Sequence, residues 1–174
     1  MCRLREKNVA RMKAHIVYAV LLASSLAAPL FAAPDPQQNI EQNKAVARKL
    51  FDVALNQDNW DVYNEIHSKD FVAHAGSHSV NLAVDLQYAR GWRLAFPDGQ
   101  YSIDRVIAQG DYVVVQFTGR GTNTGPWHGM PATGKPIEVP AIGIYRIVEG
   151  KIVEEWVEYN MLSILKQLGL APQS

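Results

Sequence analysis

The spacing of apolar residues changes abruptly at Pro97–Gly99, and this change restricts the fold more than any other feature of the chain. Before it, Val84, Tyr88 and Trp92 recur every four residues, as they do along one side of an amphipathic helix. After it, Tyr112–Thr122 alternates between apolar and polar residues, which is the pattern of a half-buried strand. Helices followed by a run of strands favour an α+β fold, in which helices cover one face of an antiparallel sheet.

Capping and turn residues divide this pattern into separate elements. We expect three helices beginning near Asn39, Asp58 and Asn81 or Ser79, a short strand at Phe71–His74, strands at Tyr101–Ala108, Tyr112–Thr122, Pro136–Val148 and Lys151–Tyr159, and a closing helix at Met161–Leu168 with Gly169 as its C-cap. Pro140 indicates an edge position or a bulge in its strand. A strongly curved antiparallel sheet packed on three helices would form a cone with an apolar pocket between its layers.

Residues 1–32 are typical of a secretory signal peptide. Five basic residues precede an uncharged apolar run that ends in Leu30-Phe31-Ala32, so we expect cleavage after Ala32. Residues 33–38 then form a linker and residues 39–172 the folded domain, with Met12 as an alternative start. The other interpretation is an uncleaved membrane anchor, because the run approaches the length of a spanning helix. Cleavage would make this an exported protein, periplasmic or secreted.

Composition argues against several classes of function. The chain of 174 residues is formally neutral, with 17 basic and 17 acidic side chains. Loss of the leader removes five basic residues and one acidic residue, leaving 12 against 16 and a formal charge of −4. No basic stripe remains, which argues against nucleic acid as a partner. Cys2 leaves with the leader, so we expect no disulfide, no thiol nucleophile and no thiolate metal ligand.

Six segments occur together in an order that resembles a known family. They are NKAVARKLF at 43–51, NQDNW at 56–60, FVAH at 71–74, WRLAFPD at 92–98, GTNTGPWHGMPATG at 121–134 and IYRIVEGKIVEEW at 144–156. The chain thereby resembles the SnoaL-like polyketide cyclases, also called predicted ester cyclases, of the nuclear-transport-factor-2-like superfamily. The resemblance implies a cone-shaped α+β barrel with a deep pocket and a homodimer formed through the outer face of the sheet. It also implies ring closure by intramolecular aldol condensation, without metal or cofactor, using a carboxylate base and a histidine.

The chain departs from the family at the two positions that carry this chemistry. Gly143 stands where the family has its histidine, and Val157 stands where the family has its acid. The family's acid/base pair is therefore missing, unless a one-residue slip of register brings Glu158 into the pocket. Because a fold alone does not supply an activity, the other polar side chains of the expected pocket become the candidates.

Glu155 is the first candidate for catalysis. It shares one strand face with Val157 and Tyr159, so it faces the pocket if Val157 does. A carboxylate in an apolar cavity has a raised pKa and can act as a general base, whereas a Glu155 paired with an arginine or lying at the rim could not. His74, His128 and Tyr159 are candidates to orient the substrate, although His74 could instead order the loop that follows it.

Aromatic residues are candidates to line the pocket, and they predict a flat or hydrophobic ligand. They are Trp60, Tyr63, Tyr88, Trp92, Trp127 and Tyr145. The alternative is that they only pack in the core. We expect no metal and no cofactor, because His74 and His78 have a spacing that suits a metal on a helix but not in a Gly/Ser loop.

Two classes of function remain open. The first is an exported SnoaL-like domain that binds a small hydrophobic molecule and catalyses cofactor-free acid/base cyclisation, isomerisation or hydration. The second is a noncatalytic small-ligand-binding protein or a dimeric interaction module that lacks the family's acid/base pair. Glu155 favours the first class, and the residues at 143 and 157 favour the second.

Overall fold

A computed structural model describes residues 36–76 and 78–171, which lie within one compact unit. The expected signal peptide and the first three residues of the expected linker lie outside the described residues. In chain order the elements are α1 Pro36–Lys49, a π-helical turn Leu50–Leu55, α2 Trp60–Ile66, β1 His67–Ala75, β2 His78–Asn81, α3 Leu82–Ala95, β3 Gln100–Gln109, β4 Tyr112–Thr122, β5 Pro136–Val148, β6 Lys151–Tyr159 and α4 Met161–Leu168. No helix in the described part of the chain is long and apolar enough to cross a membrane.

The six strands form one curved, open sheet in the order β2-β1-β6-β5-β4-β3. The α+β class with helices on a curved sheet is therefore confirmed. The expectation of a wholly antiparallel sheet is corrected, because β1 runs parallel to β6 while every other pair of neighbours is antiparallel. This pairing joins strands far apart in the sequence, and local hydrophobic spacing carries no information about it.

Three of the helices begin at an asparagine. The side-chain oxygens of Asn59, Asn81 and Asn160 each accept a hydrogen bond from the backbone N–H three residues further on. Asp58, the expected cap of α2, does not serve, because it adopts a left-handed φ of 54° and its carboxylate accepts a hydrogen bond from Nε of Arg93 at 2.5 Å. The helix consequently begins one residue later than predicted.

The first helix begins earlier than its sequence signal indicates. It starts at Pro36, a residue that suits a first helical turn because its missing N–H would have no partner there. The expected cap Asn39 therefore lies inside the helix. One turn further along, the buried amide of Asn43 donates hydrogen bonds to the carbonyl oxygens of Gly110 and Ile147, at 3.3 and 3.5 Å. These bonds fix α1 against the turns at one end of the sheet.

Alternation along the central strands separates the core from the outer face. In β5 every odd-numbered residue from Ile137 to Ile147 is buried, and the even-numbered residues are more exposed. The inner face packs against Leu50 and Phe51 of the π-helical turn, where Phe51 contacts Phe117 with ring centroids 4.7 Å apart. Pro140 lies just beyond the last pairing of β5 with β6, at Ala141 and Tyr159, so its missing N–H breaks no bond on that side.

Candidate active site in the cavity

A cavity of about 400 Å³ lies between the inner face of the sheet and the helices. Its wall is mainly apolar and aromatic, with Phe51, Trp92, Tyr101 and Phe117 among the lining residues. Two carboxylic acids, Glu155 and Asp85, also line it. Acids in such a wall are unusual, because burial makes the charged form of a carboxyl group costly unless it is paired.

Glu155 reaches the cavity from β6. Val157 and Tyr159 line the same cavity, as the alternation of the strand requires. The Glu155 carboxyl group has neither a hydrogen bond nor an ion pair with any residue that the structure describes. Burial raises its pKa well above the ordinary value of 4.5, and the charge of Asp85 raises it further. Glu155 is thus an acid with a raised pKa whose carboxyl group lies in the wall of the cavity.

Asp85 is a site residue that the sequence analysis missed. It lies on α3 together with Ala89 and Trp92, which line the cavity four and seven residues further on. The hydroxyl of Tyr63, on α2, donates a hydrogen bond to Oδ2 of Asp85. Burial raises the pKa of Asp85, and the hydrogen bond from Tyr63 opposes that effect. The sequence did contain a signal for this site: Asp85 is an acidic residue at helical spacing from Ala89 and Trp92, on the side of α3 that faces the cavity.

Tyr145 fills the place that Gly143 leaves open. A Cβ atom added to Gly143 would lie only 2.5 Å from the Tyr145 hydroxyl oxygen, so the phenol occupies the space of a side chain at 143. Gly143 pairs with Val157, and Tyr145 pairs with Glu155. At the two positions where the resemblance implies a histidine and an acid, this chain has Gly143 and Val157. The phenol of Tyr145 lies over Gly143, and Tyr145 is the cross-strand neighbour of Glu155.

The Tyr145 hydroxyl is available to a ligand. It makes no hydrogen bond within the part of the chain that the structure describes, although the residue is only 2% exposed. Burial raises its pKa well above 10, and the charges of Glu155 and Asp85 raise it further. The phenol therefore keeps its proton and can donate one hydrogen bond into the cavity.

The structure does not bring His74 to Glu155. In the parallel pairing of β1 with β6, His74 lies opposite Trp156, whereas Ala73 lies opposite Glu155. The imidazole stacks on the indole of Trp156 at 4.5 Å, and its Nε2 lies 3.5 Å from Oε1 of Glu154. His74 borders the cavity, but the contacts of its ring are on the outer face of the sheet. The expected role of His74 in orienting a substrate is not tested by these contacts and stays a prediction.

His128 and Trp127 both border the cavity from the loop between β4 and β5. Trp127 is 6% exposed and packs edge-on against Trp92 and Phe96, each at a centroid distance of 5.9 Å. Asn123 anchors this loop, because its amide donates to the Gly125 carbonyl at 2.8 Å and its side-chain oxygen accepts the backbone N–H of Thr133 at 2.9 Å. The loop is thus a fixed wall of the cavity.

Five of the six aromatic residues expected to line the pocket do so: Tyr63, Tyr88, Trp92, Trp127 and Tyr145. Trp60 does not. It is the first residue of α2, and its ring lies beneath the Arg90 guanidinium at 5.6 Å, in a shallow polar depression outside the cavity. Among the described residues no three His, Cys, Asp or Glu side chains are grouped as a metal site would need.

The SnoaL-like polyketide cyclase family model matches residues 45–168, which is most of the described chain. No curated protein matches the chain at a significant level. Among solved structures, AclR from Streptomyces galilaeus, described as a candidate hydroxylase, is 27% identical with a TM-score of 0.71, over 78% of this chain and 85% of its own.

Two further structures are similar. A SnoaL-like polyketide cyclase candidate from Jannaschia sp. CCS1 is 25% identical with a TM-score of 0.71, over 82% of this chain and 98% of its own. IdmH from Streptomyces antibioticus, described as a candidate polyketide cyclase, is 25% identical with a TM-score of 0.65, over 74% and 99%. The matched family model and the shared fold together show that this chain belongs to the SnoaL-like polyketide cyclase family.

Proposed function

We propose that the cavity binds a small, mainly hydrophobic molecule and catalyses cofactor-free acid/base chemistry on it: cyclisation, isomerisation or hydration. One observation carries the proposal. Glu155 presents a carboxyl group without a partner to an apolar cavity. A structural acid would be paired or exposed, because an unpaired carboxyl in such a place costs stability. A raised pKa, in contrast, is what a proton-transfer group needs near neutral pH.

The rest of the cavity supports a flat, largely uncharged substrate. Trp92, Tyr101 and Phe117 provide aromatic surface, and the polar groups Tyr63, Asp85, Tyr145 and Glu155 come from neighbouring elements. A few polar groups in an otherwise apolar wall fix the orientation of a ligand whose affinity comes from burial. Relatives described as polyketide cyclases support cyclisation among the three reaction classes.

The experiment uses a probe that does not require the natural substrate. In 5-nitrobenzisoxazole, which is flat and neutral, a base removes the proton of ring carbon 3. The C–H electron pair then forms a nitrile, the N–O bond breaks, and a coloured nitrophenolate is released. We expect saturable turnover by the full chain, and a loss of about 100-fold or more in Glu155→Gln, because acid/base groups typically contribute that much.

Glu154→Gln is the matched control, since it alters the adjacent residue on the other face of the sheet. Its turnover should equal that of the unmodified chain. Equal turnover in Glu155→Gln and the unmodified chain would contradict the proposal.

The second candidate function is noncatalytic binding, which the residues Gly143 and Val157 favour, because they replace the family's acid/base pair. In that case a flat hydrophobic compound would raise the melting temperature by binding the folded state, without being converted. Stabilisation by 5-nitrobenzisoxazole with no release of nitrophenolate would therefore replace the first function with the second.

We propose in addition that two copies associate through the outer face of the sheet. Exposed Ile142 and Ile144 lie there beside Arg146 and Glu154, so the face carries apolar surface and both signs of charge, which can meet the same patch on a second copy. Light scattering should give the mass of a dimer for the full chain and of a monomer for Ile144→Glu. A monomer at all concentrations would contradict this proposal.

Export is a further proposal, and it depends on residues 1–32 alone. N-terminal sequencing of the protein recovered outside the cytoplasm should begin at Ala33. Recovery with an intact leader would favour the membrane anchor instead.

A further inference from the structure

We propose that the two acids of the cavity have different roles, with Asp85 as the ionised base and Glu155 as its protonated partner. This inference rests on the proposed function and deepens it. It also reverses the role of Glu155 that the sequence analysis expected, since it moves the base from β6 to α3. The observations that carry it are the hydrogen bonds each acid has, and those it lacks.

Hydrogen bonds distinguish the two carboxyl groups. Oδ2 of Asp85 accepts the hydroxyl proton of Tyr63, whereas Glu155 accepts no hydrogen bond from any described residue. A hydrogen-bond donor stabilises the charged form of an acid. With two carboxyl groups facing one apolar cavity, the first ionisation makes the second more costly. Asp85 therefore ionises first, and its charge keeps the proton on Glu155.

Tyr63 is itself held firmly in place. It is 3% exposed, and its ring stacks on His67 with centroids 4.3 Å apart. Nδ1–H of His67 donates to the carbonyl oxygen of Tyr63 at 2.6 Å, which ties the end of α2 to the start of β1. The Tyr63 hydroxyl is thus a fixed donor aimed at Asp85.

Other titratable side chains line the same cavity. They are Tyr63, Tyr88, Tyr101, Tyr145, Tyr159, His74, His78 and His128. Burial raises the pKa of Tyr63, Tyr101, Tyr145 and Tyr159, so these four remain neutral and act only as hydrogen-bond donors or acceptors. Of the three histidines, His74 lies in β1, His78 in β2 and His128 in the β4–β5 loop, so none lies on α3 or β6.

This division of roles supports a balanced proton exchange. For a substrate with a hydrogen on the carbon beside a carbonyl group, Asp85 takes that proton and the C–H pair becomes the C=C bond of an enol. The carbonyl oxygen takes the proton of Glu155, while the Tyr145 hydroxyl donates a hydrogen bond to it. If the substrate also carries a C=C bond between its β and γ carbons, the enol is a dienol: Asp85 returns its proton to the γ carbon, the C=C bond moves to the α and β carbons, and the enol proton returns to Glu155. No oxidant, reductant or metal is required.

The first test reads protonation directly, without turnover. In the full chain labelled with ¹³C at the Asp and Glu carboxyl carbons, Asp85→Asn and Glu155→Gln assign the two signals. We expect Asp85 to titrate at the lower pH of the two. In Tyr63→Phe, the Asp85 titration should move to higher pH because the donor is lost, while Tyr112→Phe, at an exposed tyrosine of β4, should leave it unchanged. Ionisation of Glu155 before Asp85 would overturn the inference.

The second test compares pH–rate profiles with 5-nitrobenzisoxazole. Asp85→Asn leaves Glu155 as the one carboxyl group among the described residues that line the cavity, so its activity should appear at a higher pH than that of the unmodified chain. Glu155→Gln retains Asp85, so its reduced activity should keep the original acid limb. The reverse pattern would assign the base to Glu155. The two failures can be told apart. If the proposed function is wrong, no variant turns over the probe, whereas the ¹³C titrations still show Asp85 ionising before Glu155.

Discussion

Glu154 and Glu155 are neighbours in β6, yet their surroundings differ in nearly every respect. Glu154 lies on the outer face, where Nε of Arg146 donates to it at 2.5 Å and His74 approaches its other oxygen. The hydrogen bond from Arg146 lowers the pKa of Glu154. Glu155 lies on the inner face without a partner, and burial raises its pKa.

The contrast separates two uses of the same side chain. A paired carboxyl group on a half-buried surface adds to a network that holds β1, β5 and β6 together. An unpaired one in a cavity weakens the fold and is retained where its proton is useful. Function in this molecule is therefore expected on the inner face of the sheet, and stability and association on the outer face.

The largest expected effect is a difference in how the stability of the two glutamate variants depends on pH. The pKa of Glu155 is raised on folding, so the folded state binds more protons and its stability falls as the pH rises above the ordinary value of 4.5. Glu155→Gln should remove up to about 1.4 kcal/mol of this loss per pH unit, until the folded pKa is reached.

Glu154 should behave in the opposite sense. Because its pKa is lowered on folding, its contribution is present above the unfolded pKa and is lost as the pH falls through the folded one. Urea unfolding of both variants across this range would measure the difference. If the free energies of unfolding of Glu154→Gln and Glu155→Gln depended on pH in the same way, the proposed difference between the inner and outer faces would be contradicted.

The next effect concerns His67, another titratable group buried on the inner side. Burial lowers its pKa to about 4. Between pH 6.5 and pH 4 the unfolded state therefore binds a proton at His67 and the folded state does not. The free energy of unfolding should fall by roughly 3 kcal/mol as the pH drops from 6.5 to 4. His67→Phe keeps the stacked ring and should remove this slope. An unchanged slope in that variant would locate the acid sensitivity elsewhere.

A smaller effect is expected from the glycine beneath Tyr145. In Gly143→Ala the new Cβ would overlap the phenol, which must move, so we expect a loss of about 1–3 kcal/mol of stability. Gly91→Ala, on α3, is the control because its Cβ would meet nothing within 4 Å; it should gain up to about 1 kcal/mol from helix propensity. Equal effects at the two positions would contradict the packing of Tyr145.

The smallest effect is the loss of the ion pair on the outer face. At neutral pH, Glu154→Gln should cost less than about 1 kcal/mol, because solvent screens a pair of this kind. Salt should reduce the cost further. A larger, salt-independent loss would mean that the outer face is buried, as in the proposed dimer, and mass measurement of the same variant would test that explanation.

The sequence predicted features that depend on local periodicity. The faces of Glu155, Val157 and Tyr159 follow from alternation along one strand, and the helix caps Asn81 and Gly169 follow from local chemistry. These predictions required no knowledge of distant residues.

Features that depend on pairing or on helix rotation were missed. The face of His74 is defined by the parallel contact of β1 with β6, which the sequence does not reveal. Asp85 was overlooked because the apolar stripe of α3 was centred on Val84, one residue away, and one residue rotates a helix by about 100°. Trp60 shares a stripe with Tyr63 but lies at the end of its helix, where it contacts Arg90 instead of the cavity.

The most direct test of the account is the protonation state of Glu155 at neutral pH. Infrared difference spectra of the full chain would show the C=O stretch of a protonated carboxyl group in the region free of amide absorption. We predict that this band is present in the unmodified chain and in Glu154→Gln and absent in Glu155→Gln. A chain without the band at neutral pH, or a band that survives in Glu155→Gln, would contradict the claim that the cavity holds Glu155 as a proton-bearing acid.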